Sequence, residues 1–264
     1  MDIKQLLFSA IHASLKGGEA ILAVYDSDFA VEHKEDKSPL TLADKNAHDV
    51  ISEILKDTGF PILSEEGNSI EYSERQRWDH FWMVDPLDGT KEFVKRNGEF
   101  TVNIALIHNQ RSILGVIFVP VTKTLYFAAE GVGSYRFQIT DMIADNIEGV
   151  ILQSLKLPLE HSNKKFTVVA SRSHLSEETE MFIDGLKTSR KEVDFISSGS
   201  SIKLCLVAEG SADVYPRFAP TMEWDTAAGQ AICEVAGKKV IDYTTNKPLL
   251  YNKPDLLNNW FIVQ

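Results

Sequence analysis

Phe81-Trp82-Met83-Val84-Asp85-Pro86-Leu87-Asp88-Gly89-Thr90-Lys91-Glu92-Phe93 decides how this chain is read. Residues 81 to 84 are an apolar run of strand type, and an aspartate followed by proline stops it. Proline fixes its own φ and biases the residue before it away from helix, so the strand is expected to end at Asp85 in a tight turn. Asp88 follows, then Gly89, where the backbone can approach a ligand closely. Thr90 opens a short helix through Phe93 or Val94. Two carboxylates flanking one turn repel each other unless cations sit between them, and one then keeps its proton. Magnesium suits such a place, because it takes a few carboxylates together with water and phosphate oxygens. The amides after Gly89 would face the same space and favour an anion. Asp, Pro, Gly and Thr are also ordinary turn residues, so Asp-Pro-x-Asp-Gly alone is as readily a surface turn.

The rest of the chain narrows the class. Its 264 residues suffice for a substantial core, and the hydrophobic (44%) and charged (25%) fractions are those of a soluble globular protein. The net charge of −11 argues against a nucleic-acid surface. Cys205 and Cys233, each in an apolar helical context, read as buried thiols in a reducing compartment. The first residues lack a signal-peptide pattern and no apolar run is expected to span a bilayer, which together suggest a cytoplasmic protein. Peripheral attachment to the cytoplasmic face of the inner membrane and the oligomeric state stay open.

Around the central stretch, Ile3, Leu6, Leu7, Ala10, Ile11, Leu15, Ile21 and Val24 predict a first helix, with Gly17-Gly18 as a kink or a close contact. A charged loop over 32–39 leads to a second helix carrying Ala43, Ala47, Val50, Ile51, Ile54 and Leu55 on one face. Thr41 and Asp44 read there as an N-cap pair. Phe60 to Ser64 predicts a short strand ending in Glu65-Glu66, ordinarily a solvated turn. Strands over 100–108, 113–120 and 125–129 are expected to pair antiparallel. Residues 138–165 are weakly patterned and place a seam between an N-terminal metal-binding α+β half (1–150) and a C-terminal α/β half (151–264). In the latter, strands at 166–171, 193–196 and 212–216 alternate with helices at 176–186, 200–209 and 224–236. Asp225, in the first turn of the last helix, reads by itself as dipole compensation.

Asp85-Pro86-Leu87-Asp88-Gly89-Thr90 and Trp224-Asp225 followed by small residues, in this order with Glu65-Glu66 upstream, resemble the two signatures of the inositol monophosphatase superfamily. The resemblance covers most of the chain. Its details, from Asp88-Gly89-Thr90-Lys91-Glu92-Phe93 through Gly98-Glu99-Phe100-Thr101-Val102-Asn103, with Tyr215-Pro216-Arg217, are similar to the 3'(2'),5'-bisphosphate nucleotidase branch. Asn259 stands where that branch leads one to expect proline. The resemblance implies a layered α-β-α-β-α sandwich and a lithium-sensitive, magnesium-dependent phosphatase holding two or three Mg2+ ions. It makes Glu65, Asp85, the Leu87 carbonyl, Asp88 and Asp225 the metal ligands, and gives the scissile phosphate to the Gly89 and Thr90 amides. It pairs Asp44 with Thr90 in a hydrogen bond that prepares the attacking water, with Glu65 also catalytic. His174, Ser200, Lys203 and Arg217 would meet the rest of a nucleotide bisphosphate. Against this, Ser200 reads equally as a helix cap, Lys203 as a solvated face and His174 as a turn residue. Arg217 best suits a 5'-phosphate, because guanidinium binds phosphate bidentately. The implied reaction is hydrolysis of adenosine 3',5'-bisphosphate in sulfur assimilation. The alternatives are an inositol or sugar phosphate phosphatase and a non-catalytic nucleotide-binding protein.

Overall fold

The computed structural model describes residues 1–27, 39–140, 143–160, 165–171, 176–190 and 192–264. The N-terminal part runs α1 (Ile3–Tyr25), α2 (Pro39–Lys56), β1 (Ile62–Ser64), α3 (Tyr72–Arg75), β2 (His80–Asp88) and α4 (Thr90–Val94). Three strands follow, β3 (Thr101–His108), β4 (Arg111–Val119) and β5 (Thr124–Ala129), then β6 (Gly133–Gln138), α5 (Ile147–Leu152) and β7 (Leu155–Lys156). The remainder comprises β8 (Phe166–Ser171), α6 (Glu177–Ser189), β9 (Val193–Ser198), α7 (Ile202–Ala208), β10 (Tyr215–Arg217), α8 (Glu223–Val235), β11 (Val240–Asp242) and β12 (Phe261–Val263).

Strands β1 to β7 form one sheet in sequence order, with β1 parallel to β2 and every other neighbour antiparallel. Successive side chains along a strand point to opposite faces, so this sheet carries two cores. Trp82, Val84, Ile104, Leu106 and Val116 meet α1 and α2 on one side. Phe81, Met83, Ala105, Ile107 and Ile117 meet α7 and α8 on the other. The same alternation serves the second β layer, made of β8-β9 and β10-β12-β11. Val169, Phe261 and Val263 face α7 and α8, while Val168 and Ile262 face Ile183 of α6. The result is the expected α-β-α-β-α sandwich.

Small residues set the layer spacing. A Cβ on Gly17 would lie 2.6 Å from Ile51 Cδ1, and one on Gly18 would lie 2.5 Å from Phe118 Cε1. Gly17-Gly18 therefore admits close neighbours, and α1 runs through it without interruption. Helix α1 is, contrary to expectation, long and apolar enough by length and composition to cross a membrane. Its apolar face is instead buried against α2 and the sheet, as in a core helix. On the other side a Cβ on Gly115 would meet Ala228 O at 2.1 Å, and one on Gly229 would meet Leu204 Cβ at 2.7 Å. The small residues after Asp225 thus let α8 lie directly on β4 and against α7. Cys205 and Cys233 are free, buried thiols of this layer, as the sequence suggests.

Two boundaries differ from expectation. Helix α2 begins at Pro39, so Thr41 and Asp44 lie inside it and form no N-cap pair. Proline suits the first helical position, where its missing N–H has no partner to lose. Strand β2 does not stop at Asp85 but continues to Asp88, with a register shift between the pairs Asp85–Asn103 and Asp88–Thr101. A bulge absorbs one extra residue, and Pro86 with Leu87 occupies it.

Candidate active site

The bulge is what brings the acids together. Residues three apart on a regular strand point to opposite faces, but one inserted residue reverses the phase, so Asp85 and Asp88 share a face. Asp85 Oδ1 accepts from the Leu87 amide at 3.1 Å, which closes the turn within the bulge. The Leu87 side chain is buried in the first core, so only its backbone is left to serve a site. Parallel pairing of β1 with β2 extends through Glu65 N to Val84 O at 3.1 Å, and this sets Glu65 beside Asp85. Asp225 arrives from the first turn of α8. Its Oδ2 accepts from the Met222 amide at 2.9 Å, so the capping role is real and leaves its other oxygen free for a site.

Carboxylate oxygens of Glu65, Asp85 and Asp225 lie within 4.8 Å of one another. Burial raises the pKa of Asp85 well above the ordinary range, and the charges of Asp88, Glu65, Asp225 and Asp44 add to it. Burial, then Asp88, lifts Asp225 to about 8. Burial, followed by Glu66 and Glu65, lifts Asp44 to about 8. Glu65 is raised by burial and by Asp88, and Asp88 mainly by burial. The charges raising Asp85 are all carboxylates, the crowding that a bound cation relieves. An all-oxygen donor set of this kind suits a hard divalent ion, so the residues fit a metal.

Beside this acidic centre opens a cleft of about 190 Å³, lined by Asp88, Gly89, Thr90, Ser200, Lys203, Tyr215, Arg217 and Asp225 among others. Gly89 has φ +97°, and a Cβ there would lie 3.1 Å from Glu99 O and 3.2 Å from Phe100 Cα, so only glycine fits. Lys203 is buried rather than on a solvated face, and burial lowers its pKa to about 8 while Asp88 opposes the shift. Ser200, at φ +40°, caps nothing, and its buried Oγ has no hydrogen-bond partner. Arg217 Nη2 donates to Pro220 O at 2.9 Å, while its Nε is buried and unpaired. Asp88 joins the acidic and basic groups, since Lys203 and Arg217 both favour its ionised form.

Asp44 stands behind Glu65 and close enough to act on Asp85, but no hydrogen bond between Asp44 and Thr90 is among the described contacts. Thr90 lines the cleft as the first residue of α4. His174 lies outside the described residues. Asn103, which the sequence presents only as the last residue of the nucleotidase-like string and without a role, is 1% exposed and stands opposite Asp85 on β3. Its Oδ1 accepts from Ser201 Oγ at 2.7 Å, and Ser201 Oγ bonds Thr101 Oγ1 at 2.8 Å. Its buried Nδ2 has no partner of regular geometry and favours the ionised form of Asp88. Trp224 Nε1, likewise buried and unpaired, acts in the same way on Glu65. A lone amide in an apolar strand was the available signal for Asn103. The Asn258-Asn259 segment also finds its place. Asn258 Nδ2 donates to Met222 O at 2.8 Å and braces the start of α8, whereas Asn259 Nδ2 donates to Asp242 Oδ2 at 2.9 Å.

The model of the inositol monophosphatase family matches residues 2–261. The chain belongs to the inositol monophosphatase family. Among its relatives, the 3'(2'),5'-bisphosphate nucleotidase CysQ of Escherichia coli strain K12 is 44% identical over 93% of this chain and 94% of its own length. The protein of the same name from Salmonella typhimurium is 44% identical over 88% of this chain and 92% of its own. A crystal structure of CysQ from Bacteroides thetaiotaomicron, a bacterial member of the family, is 54% identical and superposes with a TM-score of 0.95 over 100% of this chain and 98% of its own. At 23% identity, the inositol monophosphatase of Anabaena shares the fold with a TM-score of 0.72, covering 100% of this chain and 92% of its own.

Proposed function

We propose that this chain is a magnesium-dependent phosphatase that hydrolyses adenosine 3',5'-bisphosphate to AMP and phosphate. The observation that carries the reading is the cleft itself, where Asp88 joins an acidic centre to the cations Lys203 and Arg217. A substrate with one phosphate to cleave and a second to hold suits both ends. Inositol 1-phosphate has only the first. The relatives named 3'(2'),5'-bisphosphate nucleotidase support the same choice.

Glu65, Asp85, the Leu87 carbonyl, Asp88 and Asp225 would hold the magnesium ions. Bound there, these supply charge neutralisation, water activation and stabilisation of the departing oxygen. The chain's own groups do the rest. The Gly89 and Thr90 amides hold the scissile phosphate, and Arg217 and Lys203 hold the second phosphate, with Ser200 beside them. The Asp44 carboxylate takes the proton that the attacking water sheds, with Thr90 orienting that water. As the new P–O bond forms, the bond to the sugar 3'-oxygen breaks with its electron pair, and that oxygen leaves as an alkoxide that takes a proton from solvent water to become the 3'-hydroxyl of AMP. We assign the reaction to sulfur assimilation, where sulfate activation and reduction release this bisphosphate, and expect lithium to inhibit it. Phosphate release, measured with and without Mg2+, is expected to favour adenosine 3',5'-bisphosphate over inositol 1-phosphate. A preference for the inositol ester overturns the assignment, and tight nucleotide binding without turnover would make the chain a binding protein.

A further inference from the structure

The wall of the cleft holds a hydroxyl without a partner. Tyr215 stands on β10 two residues before Arg217, so both side chains leave the same face of the strand, about 6.5 Å apart. It is 3% exposed and lines the cleft together with Arg217, Asp88 and Asp225. Its ring is fixed in place. Phe261 meets it edge-on, with centroids 5.7 Å apart at 89°, and Lys203 Nζ lies 5.5 Å from its centroid. Among the described residues its hydroxyl forms no hydrogen bond. Buried hydroxyls ordinarily have a partner, and a bond left unmade is costly. Burial lifts the pKa of Tyr215 to about 12, while Arg217 draws it down and Asp88 and Asp225 push it up. The group therefore stays a neutral donor, and the charges that act on it come from both ends of the cleft.

We propose that the Tyr215 hydroxyl donates a hydrogen bond to the 2'-hydroxyl of the substrate's ribose and thereby discriminates against the 2'-deoxy nucleotide. The assignment rests on adenosine 3',5'-bisphosphate as the substrate. Its cleaved phosphate lies at Asp88 and Asp225, its second phosphate lies at Arg217, and the sugar joins the two. A group on the wall between those places faces the sugar. With the 3'- and 5'-oxygens esterified, the 2'-hydroxyl is the one hydroxyl that the ribose has left to bond. A site built to hydrogen-bond a substrate hydroxyl rejects the analogue that lacks it, because the site's own polar group then stays unpaired.

Tyr215→Phe removes the hydroxyl and keeps the ring, so the packing against Phe261 and Lys203 persists. Phosphate release at saturating Mg2+ compares adenosine 3',5'-bisphosphate with its 2'-deoxy analogue in the full chain and in the variant. The unsubstituted protein is expected to favour the ribonucleotide by about 2–12-fold in kcat/KM, the contribution of one neutral hydrogen bond. Tyr215→Phe is expected to lower kcat/KM on the ribonucleotide to the level of the deoxy analogue and to change little on the analogue itself. A merely structural role would lower both alike. Equal loss on the two nucleotides, no loss on the ribonucleotide, or no preference in the unsubstituted protein overturns the proposal and leaves the substrate assignment standing. An unsubstituted protein that cleaves inositol 1-phosphate in preference to either nucleotide overturns both.

Discussion

Arg217→Ala separates recognition of the second phosphate from the chemistry of the first. The guanidinium is carried on β10, which pairs with β12 through Arg217 and Phe261, so its base is held by the sheet rather than by a loose loop. Its bond to Pro220 O uses one nitrogen, and Nε stays buried without a partner. A buried unpaired donor is costly, and a phosphate oxygen that satisfies it recovers that cost as binding. A hydrogen bond to a charged group contributes about 1.5–3 kcal/mol, which corresponds to roughly 10–150-fold in kcat/KM. The loss should appear mainly in KM, because the second phosphate is bound equally in the ground and transition states. The assay compares adenosine 3',5'-bisphosphate with adenosine 3'-monophosphate in both proteins at saturating Mg2+. The full loss is expected on the bisphosphate and little on the monophosphate. Equal loss on the two substrates, or none on either, refutes the placement of Arg217 at the second phosphate.

Three other outcomes follow from the acidic centre. Without metal, Asp44 and Asp225 titrate near 8 in the folded chain and at about 4 when unfolded, so the folded state holds protons that the unfolded state has shed between these values. Stability therefore falls as pH rises from about 4 to about 8. Thermal melts should show a declining Tm over this window, less steep in Asp225→Asn and reversed by Mg2+ at pH 8; a metal-free Tm that holds or rises contradicts the sign. Asp88→Asn removes a charge from the centre and should lower turnover at least about 100-fold with the fold intact by circular dichroism; near-normal rates would remove Asp88 from the ligands. Asn103→Leu leaves Ser201 without its acceptor and Asp88 without its neighbouring amide. A stability loss of about 1–3 kcal/mol in urea unfolding, with a lower kcat, is expected, and an unchanged kcat would reduce Asn103 to a packing residue.

What the sequence made legible was local. The apolar run of β2, the glycine at φ +97° and the acid in the first turn of α8 were all readable from residue type and spacing. The phase of β2 was not. Asp85-Pro86 looks like a strand end, and only pairing with β3 shows that a bulge continues it and turns both carboxylates to one face. Thr41 and Asp44 looked like a cap because each suits one, whereas the helix starts two residues earlier, at Pro39, and buries Asp44 beside Glu65 and Glu66. For Lys203, residue type alone leaves a solvated face open beside a place at the nucleotide, and only the packing of α7 against α8 and the second β layer excludes it. Asn103 needed its register partner before its role near Asp88 could be seen. Each of these depends on which segments become neighbours, a property of the packed layers rather than of any short string.

The central claim is that Glu65, Asp85 and Asp225, from three separate elements, together hold the divalent ion used to cleave a phosphoester. Anomalous diffraction from crystals soaked in Mn2+, a scatterer that accepts the same oxygen ligands as Mg2+, tests it directly. The predicted result is a peak bonded to oxygens of all three residues. Crystals that bind Mn2+ elsewhere and leave this cluster empty, from protein that still releases phosphate, would contradict it.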